Sequence, residues 1–286
     1  MGVIIGGIVV IGAVLTGFSM AGGSIGALIH PSELVTIGGA SFGALIVMSP
    51  KKVLVDLFRA VLQLIKGSPY NKQTYIELFK LLYALTRVLR REGALTLDSH
   101  LSNPAGSNIF QQAPRITKNP HVNHFLCGAL SLIVDGKTDG EQLTNWLNEE
   151  ISVVEREHHA AVAVLTKTAD ALPGFGIVAA VLGIVVTMQS INGPVEEIGH
   201  KVGAALVGTF LGILLCYGFF APMAGRMELM GEQEKNFFQT IVAAVVAINE
   251  GVSPKDVITR ACRGVGTEFK PTQADLRAIF NERESS

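Results

Sequence analysis

The segment VGAALVGTFLGILLCYGFFAPMAG, residues 202–225, contains no Asp, Glu, Lys or Arg. A helix that crosses a bilayer needs roughly 20 consecutive, mostly apolar residues, and this run supplies them. Residues 1–32, 34–50 and 171–195 are equally free of those four residue types. Spans are therefore expected near 3–22, 33–50, 171–191 and 202–225, the second at the short limit. Between spans two and three, residues 51–167 are rich in charge and helical periodicity. The fold class is an all-α integral membrane protein with four transmembrane helices and a large helical insertion.

Charge gives the orientation. Of the 23 Lys and Arg residues, 14 lie in 51–167, eight in 226–286 and one, Lys201, between spans three and four. Lys51 and Lys52 follow span two directly, and Arg226 follows span four. The positive-inside rule puts the insertion and the C-terminal region in the cytoplasm, with both short hairpin loops and neither chain end outside. The division expected is spans one and two in 1–50, a cytoplasmic helical domain in 51–167, spans three and four in 168–226, and cytoplasmic helices in 227–286. The excess of 14 basic over 11 acidic residues in the insertion is too weak to indicate nucleic acid. Ser19-Met20-Ala21 imitates a signal-peptide cleavage site, but no basic region precedes it, so a retained first span is expected. Cys127, Cys216 and Cys262 are divided between cytoplasm and membrane, which disfavours a structural disulfide.

The spans carry small residues four apart: Gly2 and Gly6, Gly39 and Gly43, Ala179 and Gly183, Gly208 and Gly212. Such spacing lets helix backbones approach closely, within one subunit or between subunits. Pro173 opens span three and Pro222 lies near the end of span four, both on the cytoplasmic side. Each removes the bond its N–H would make four residues back, to Ala169 and Gly218. One such proline is ordinary; two at one depth fit a shared hinge or an ion exit. Glu33 and Asp170 mark span ends, and no span carries a carboxylate in its middle. Ion movement normally needs an ionisable group at depth, so a partner would supply it. Thr209 is one of few hydroxyls deep in a span, where a bond back to its own helix is the commoner role.

In the insertion, 53–66 and 73–91 read as amphipathic helices, the second with Ile76, Phe79, Leu82 and Leu85 on its apolar face. Arg87, Arg90 and Arg91 share one face of its last turn, where cations complement the helix dipole. Gly93 ends that helix, and Asp98 follows a short apolar stretch. The basic cluster and the acid form either a solvated face or a docking surface for a charged partner. Pro120 starts a helix containing His121, His124 and Cys127, which drift around it and lack a fourth ligand for a metal. Thr138 and Glu141 form a capping-box pattern opening a long helix through Glu149, Glu150 and His158 into span three. Helical pattern continues from Arg226 to Ile248, and Ser253-Pro254 caps a final helix. No phosphate loop, zinc-hydrolase motif or nucleophile elbow is present, so neither enzyme chemistry nor a cofactor is expected.

Three stretches resemble the MotA family of flagellar motor stator subunits. They are Gly22 to Leu28 with Pro31 to Val35, then Leu172 to Val181, and, most specifically, Val207 to Phe219. The resemblance runs over almost the whole chain. It implies a homopentamer in the bacterial inner membrane, surrounding the transmembrane helices of a MotB dimer that supplies the ion-carrying aspartate. It further implies that ion flow rotates the pentamer and that charged contacts with FliG turn the rotor. Carried over position by position, the torque charges fall on Arg90 and Asp98, the latter more often Glu in the family. Glu150 matches a further charged position, Pro173 and Pro222 the two coupling prolines, and Thr209 and Tyr217 pore-side positions. Sodium-type relatives place a threonine where this chain has Ala180. Fewer hydroxyl oxygens make a poorer site for a hard cation, so protons are expected to be the ion. The competing readings are an energiser of the ExbB or TolQ type, with three spans, and a secondary transporter, which would show internal repeats and more spans.

Overall fold

A computed structural model describes residues 2–136 and 139–281. In chain order its helices are α1 (Gly2–Met20), α2 (Pro31–Met48), α3 (Lys51–Lys66), α4 (Lys72–Glu92), α5 (Ala94–Ser102), α6 (Asn108–Gln111), α7 (Pro114–Thr117), α8 (Pro120–Val134), α9 (Gly140–Met188), α10 (Val195–Leu215), α11 (Ala221–Asn249), α12 (Pro254–Ala261) and α13 (Gln273–Asn281). Among the described residues no strand occurs, and four helical stretches are long and apolar enough to cross a membrane. The chain divides into two compact units, Met1–Gly67 with Glu157–Leu229, and Ser68–Arg156 with Met230–Ser286. Helices α9 and α11 contribute to both. By its contacts α3, the start of the charged insertion, groups with the first unit.

The first unit holds all four apolar stretches and is built with little side-chain bulk. Helix α1 buries none of its residues within the chain, leaving Ile4, Ile8 and Val9 exposed. Lipid satisfies such a surface, because a helix meets its backbone hydrogen bonds internally. Only Glu33, Ile37 and Ser41 of α2 are buried, spaced by four so that they form one stripe. Helices α9 and α10 meet through glycine. A Cβ added to Gly212 would lie 2.6 Å from Leu172 O and 3.0 Å from Gly176 Cα. One added to Gly176 would lie 2.9 Å from Gly208 O. The spacing of small residues read from sequence here becomes backbone touching backbone.

The two prolines have different local effects. Pro173 sits inside an unbroken α9. Ahead of Pro222, residues Cys216–Phe220 form a π turn, and Ala221 N–H bonds to Cys216 O five residues back. Pro222 offers no N–H to Gly218 O and its ring crowds that carbonyl; widening the helix by one residue relieves both problems. On the amphipathic α3, Leu57 and Leu64 face inward, and Lys52 pairs with Glu157.

The second unit is a conventional side-chain core around α4. That helix buries Tyr75, Leu78, Phe79, Leu82 and Leu85 among others, against residues of α5, α8, α11 and α12. Phe237 of α11 lies 5.0 Å from the Tyr70 ring and 4.9 Å from the Tyr75 ring. Side-chain caps fix the helix starts. Asn71 accepts from Thr74 N at 3.1 Å, Asn119 from Val122 N at 3.3 Å, and Ser253 from Asp256 N at 3.2 Å. Gly93 ends α4 at φ 91°, a backbone conformation that costs other residues dear. The Ser253-capped α12 is not the final helix: α13 follows, opened by Thr272 and Asp275 in mutual hydrogen bonds. Thr138 of the expected capping box lies outside the described residues.

Candidate functional site

Within the membrane unit, three of the residues singled out by sequence cluster where α9 meets α10 or its continuation. Ala180 is buried, and its backbone N would lie 3.3 Å from a Cβ on Gly208. Thr209, next along α10, is half-buried, and its Cα would lie 3.3 Å from a Cβ on Gly176. Pro173 is half-buried in the turn of α9 beside Leu172, whose carbonyl faces Gly212. Tyr217, in the π turn, is 70% exposed, and Pro222 is exposed. Both present their side chains away from the chain's own core.

The hydroxyl of Thr209 behaves unlike its neighbours. Thr166, Thr168 and Thr187 of α9 donate back to Val162, Val164 and Gly183 carbonyls at 3.0, 2.9 and 2.8 Å. Among the described residues Thr209 donates no such bond. The bond back to its own helix that is common for a helical threonine is therefore not made here. Ala180 contributes only a methyl group at the same seam.

A cavity of about 760 Å³ opens in this unit between α1 and α10, lined by Gly17, Phe18, His30, His200, Val207 and Phe210 among others. The His30 and His200 rings meet edge to face, 6.0 Å between centroids, and His30 Nε2 lies 3.1 Å from Ala27 O. Neither histidine stood out in the sequence. They are far apart along the chain, and only the packing of α2 against α10 joins them.

In the second unit, Arg90, Asp98 and Glu150 are all exposed. Arg90 Nη2 donates to Gly251 O, so it tethers the end of α4 to the turn between α11 and α12. Asp98 enters no ion pair or hydrogen bond among the described residues, and its carboxylate faces solvent on α5. Lys80, Arg87, Arg91 and His100 line a groove of about 800 Å³ with Asn108 and Gln112. The Arg87 guanidinium lies over the Tyr83 ring, 5.9 Å from its centroid. Glu150 borders a separate groove of about 670 Å³ with His121, His124 and Cys127. Among the described residues no group of three or more His, Cys, Asp or Glu is placed to hold a metal ion. Burial pushes the Cys127 and Cys262 thiols up to about 11, which keeps both in the unreactive thiol form.

Comparison with known proteins gives this arrangement its context. Residues 4–93 match the Motility protein A N-terminal family, and residues 117–247 match the MotA/TolQ/ExbB proton channel family. Motility protein A of Salmonella typhimurium is 34% identical over 99% of this chain and 97% of its own length. The chain belongs to the motility protein A family. Chemotaxis protein LafT of Vibrio parahaemolyticus is 35% identical over 98% of this chain and 96% of that protein. The flagellar MotAB stator complex from Bacillus subtilis contains a chain with a TM-score of 0.72 at 25% identity, covering 97% of this chain and 98% of that one. The MotAB structure from C. jejuni gives a TM-score of 0.77 at 21% identity over 95% and 98%, and shows the shared fold. Membership makes this a flagellar motor stator subunit, in a family of motor and proton-channel proteins.

Proposed function

We propose that this chain assembles with a MotB-type partner in the bacterial inner membrane, conducts protons, and turns a FliG-bearing rotor through its cytoplasmic surface. The observation that carries this reading is its alignment with motility protein A relatives over nearly its full length. The solved MotAB complexes match over similar shares of the chain. Five copies around a MotB dimer is the assembly the family resemblance implies. The uneven spread of Lys and Arg supports residues 51–167 and 227–286 as the cytoplasmic parts, with spans in 1–50 and 168–226.

The proposed mechanism has two halves. A proton taken up by the partner's aspartate, beside Thr209 and Ala180, changes the packing of spans three and four. Pro173 and Pro222 are where that change bends the helices, and the π turn supports Pro222 as the softer of the two. Tyr217, exposed in that turn, faces the partner. Arg90, Asp98 and Glu150 then bear on the rotor. The absence of a hydroxyl at Ala180 supports protons over sodium.

The test is rotation of tethered cells lacking their own stators, complemented with this chain and its cognate MotB. Rotation that persists without sodium and stops with a protonophore is expected. A sodium requirement would overturn the ion assignment alone. Absence of rotation, with both proteins inserted, would favour an energiser of the ExbB or TolQ type.

A further inference from the structure

Glu33 is 6% exposed and Ser41 5%, on the buried stripe of α2. Among the described residues of the membrane unit, Glu33 is the only acidic or basic side chain buried so far. Its Oε2 has no hydrogen-bond partner, and neither has Ser41 Oγ. The other buried hydroxyls of this unit, Thr168 and Thr187, are both satisfied by their own helix. Two of the unmatched oxygens thus lie on the one stripe where α2 meets its neighbours, and a third, Ser49 Oγ, lies just past the end of that helix.

The place is made by a missing side chain. A Cβ on Gly208 would lie 2.6 Å from Glu33 Oε2, 3.1 Å from Ala179 Cβ and 3.3 Å from Ala180 N. The carboxyl therefore occupies the notch that glycine leaves in α10, directly beside Thr209. Gly208 is six residues beyond Val202, where the charge-free run begins. At about 1.5 Å per residue that is roughly 9 Å into the apolar span. An acid in a helix's first turn is ordinarily explained by the helix dipole and by N–H groups it accepts from. Here Oε2 accepts nothing. An unpaired carboxylate is costly to bury and a neutral carboxylic acid much less so. Glutamine or methionine would fill the notch without that cost.

Val207, adjacent to Gly208, lines the cavity that also holds His30 and His200. Of the titratable groups, His30, which precedes α2 at its N-cap, acts on Glu33 electrostatically, and His200 of α10 packs against His30. From α9 the facing residues are Ala179 and Ala180.

We propose that Glu33 is a proton-exchange site which this chain itself contributes to conduction, housed in the Gly208 notch, with Ser41 as the next polar stop along the same stripe. About 12 Å of helix separates the two, eight residues at 1.5 Å each, so any hand-over between them runs through water. The proposal rests on the proton-conducting reading above and adds an acid of this chain to the partner's aspartate.

The test uses the chain with its cognate MotB, reconstituted in liposomes, with Glu33→Gln compared to wild type. Glutamine keeps the shape and loses the exchangeable proton. Proton flux into the liposomes should fall several-fold at equal reconstituted amounts. An infrared band from a carboxylic acid that responds to a pH step should vanish in Glu33→Gln and persist in His30→Gln and His200→Gln. Unchanged flux, with no band lost, would overturn the site. A wild-type complex that conducts no protons, yet shows the Glu33 band, would support the proton site and overturn the conduction reading. Should Glu33→Gln fail to insert, Glu33→Asp takes its place. A shifted band and an altered pH dependence of flux support the site; identity to wild type in both overturns it.

Discussion

The two units of this protein solve the packing problem in opposite ways. In the second, large side chains interlock: Tyr75, Phe79, Phe110, Phe237 and Phe238 are almost wholly buried, and most helix starts are capped. In the membrane unit, α9 and α10 meet through Gly176, Gly208 and Gly212, while isoleucines and valines point outward. The solvent explains the contrast. Water drives large apolar groups together, whereas lipid gains nothing from hiding leucine, so closeness of backbones decides association. Mutations that remove bulk should hurt the second unit, and mutations that add it should hurt the first.

The largest effect is expected from Phe237→Ala. The ring is 0% exposed between Tyr70 and Tyr75, and emptying such a site costs about 3–5 kcal/mol. Thermal unfolding of the purified protein should show a large loss confined to the second unit, with membrane insertion intact. A loss under about 1 kcal/mol would break the comparison, because the core would be collapsing as loosely as a lipid-facing surface.

Alkaline pH tests the same core by charge. Burial pushes Tyr75 up to about 12 from 10 and holds Tyr70, bonded to Glu234, well above its usual range. With folded values above unfolded ones, the neutral phenols' contribution is complete below pH 10 and disappears as pH rises through about 12. At about 1.4 kcal/mol per unit, Tyr75 contributes roughly 2–3 kcal/mol to that loss. Tyr75→Phe should flatten stability between pH 10 and 12, and an unaltered slope would place the ring in water instead.

Gly212→Ala applies the reverse operation to the membrane unit. The added methyl meets the Leu172 carbonyl and the Gly176 backbone, which cannot swing aside as a side chain would, for a cost of about 1–3 kcal/mol. Gly39→Ala is the control, since nothing lies within 4 Å of its added Cβ. Thermal stability in detergent and rotation speed should drop for the first and hold for the second. Equal behaviour of the two would dissolve the glycine seam.

The smallest effect lies at the surface. Lys72 and Thr272 hold Asp275 down at about 2 from 3.8, with Lys72 Nζ at 2.8 Å. Its contribution is present above the ordinary carboxylate range and lost as pH falls through about 2. Asp275→Asn should slightly flatten the acid limb of the unfolding curve, and should leave the alkaline limb unchanged.

The fold was legible where a single physical rule governs. Absence of charge marked the four spans, and the ends of α1 and α2 fall within about two residues of expectation. The period of Ile76, Phe79, Leu82 and Leu85 marked α4, and Gly93 marked its end. The helix after Phe269 was missed, since its apolar positions are few and its cap, Thr272 with Asp275, resembles an ordinary turn. The candidate sites were legible in part. Ala180 and Thr209 do share one seam, and the missing back-bond of Thr209 could not be read from its neighbours in sequence. Arg90 was read only as a charge, yet it also holds the Gly251 carbonyl, a partner 161 residues away. Glu33 was read only as the marker of a span end.

By itself, the sequence determined that four segments are long and apolar enough to cross a membrane, that the fold is helical, and which family the chain belongs to. Those properties follow from composition over about 20 residues and from local order, which survive in a linear string. Tertiary structure alone decided that Gly208 leaves a notch, that Glu33 fills it without a partner, and that Pro222 widens its helix while Pro173 does not. Each depends on which backbone approaches which from a distant part of the chain, and a glycine's vacancy has meaning only once its neighbour is known.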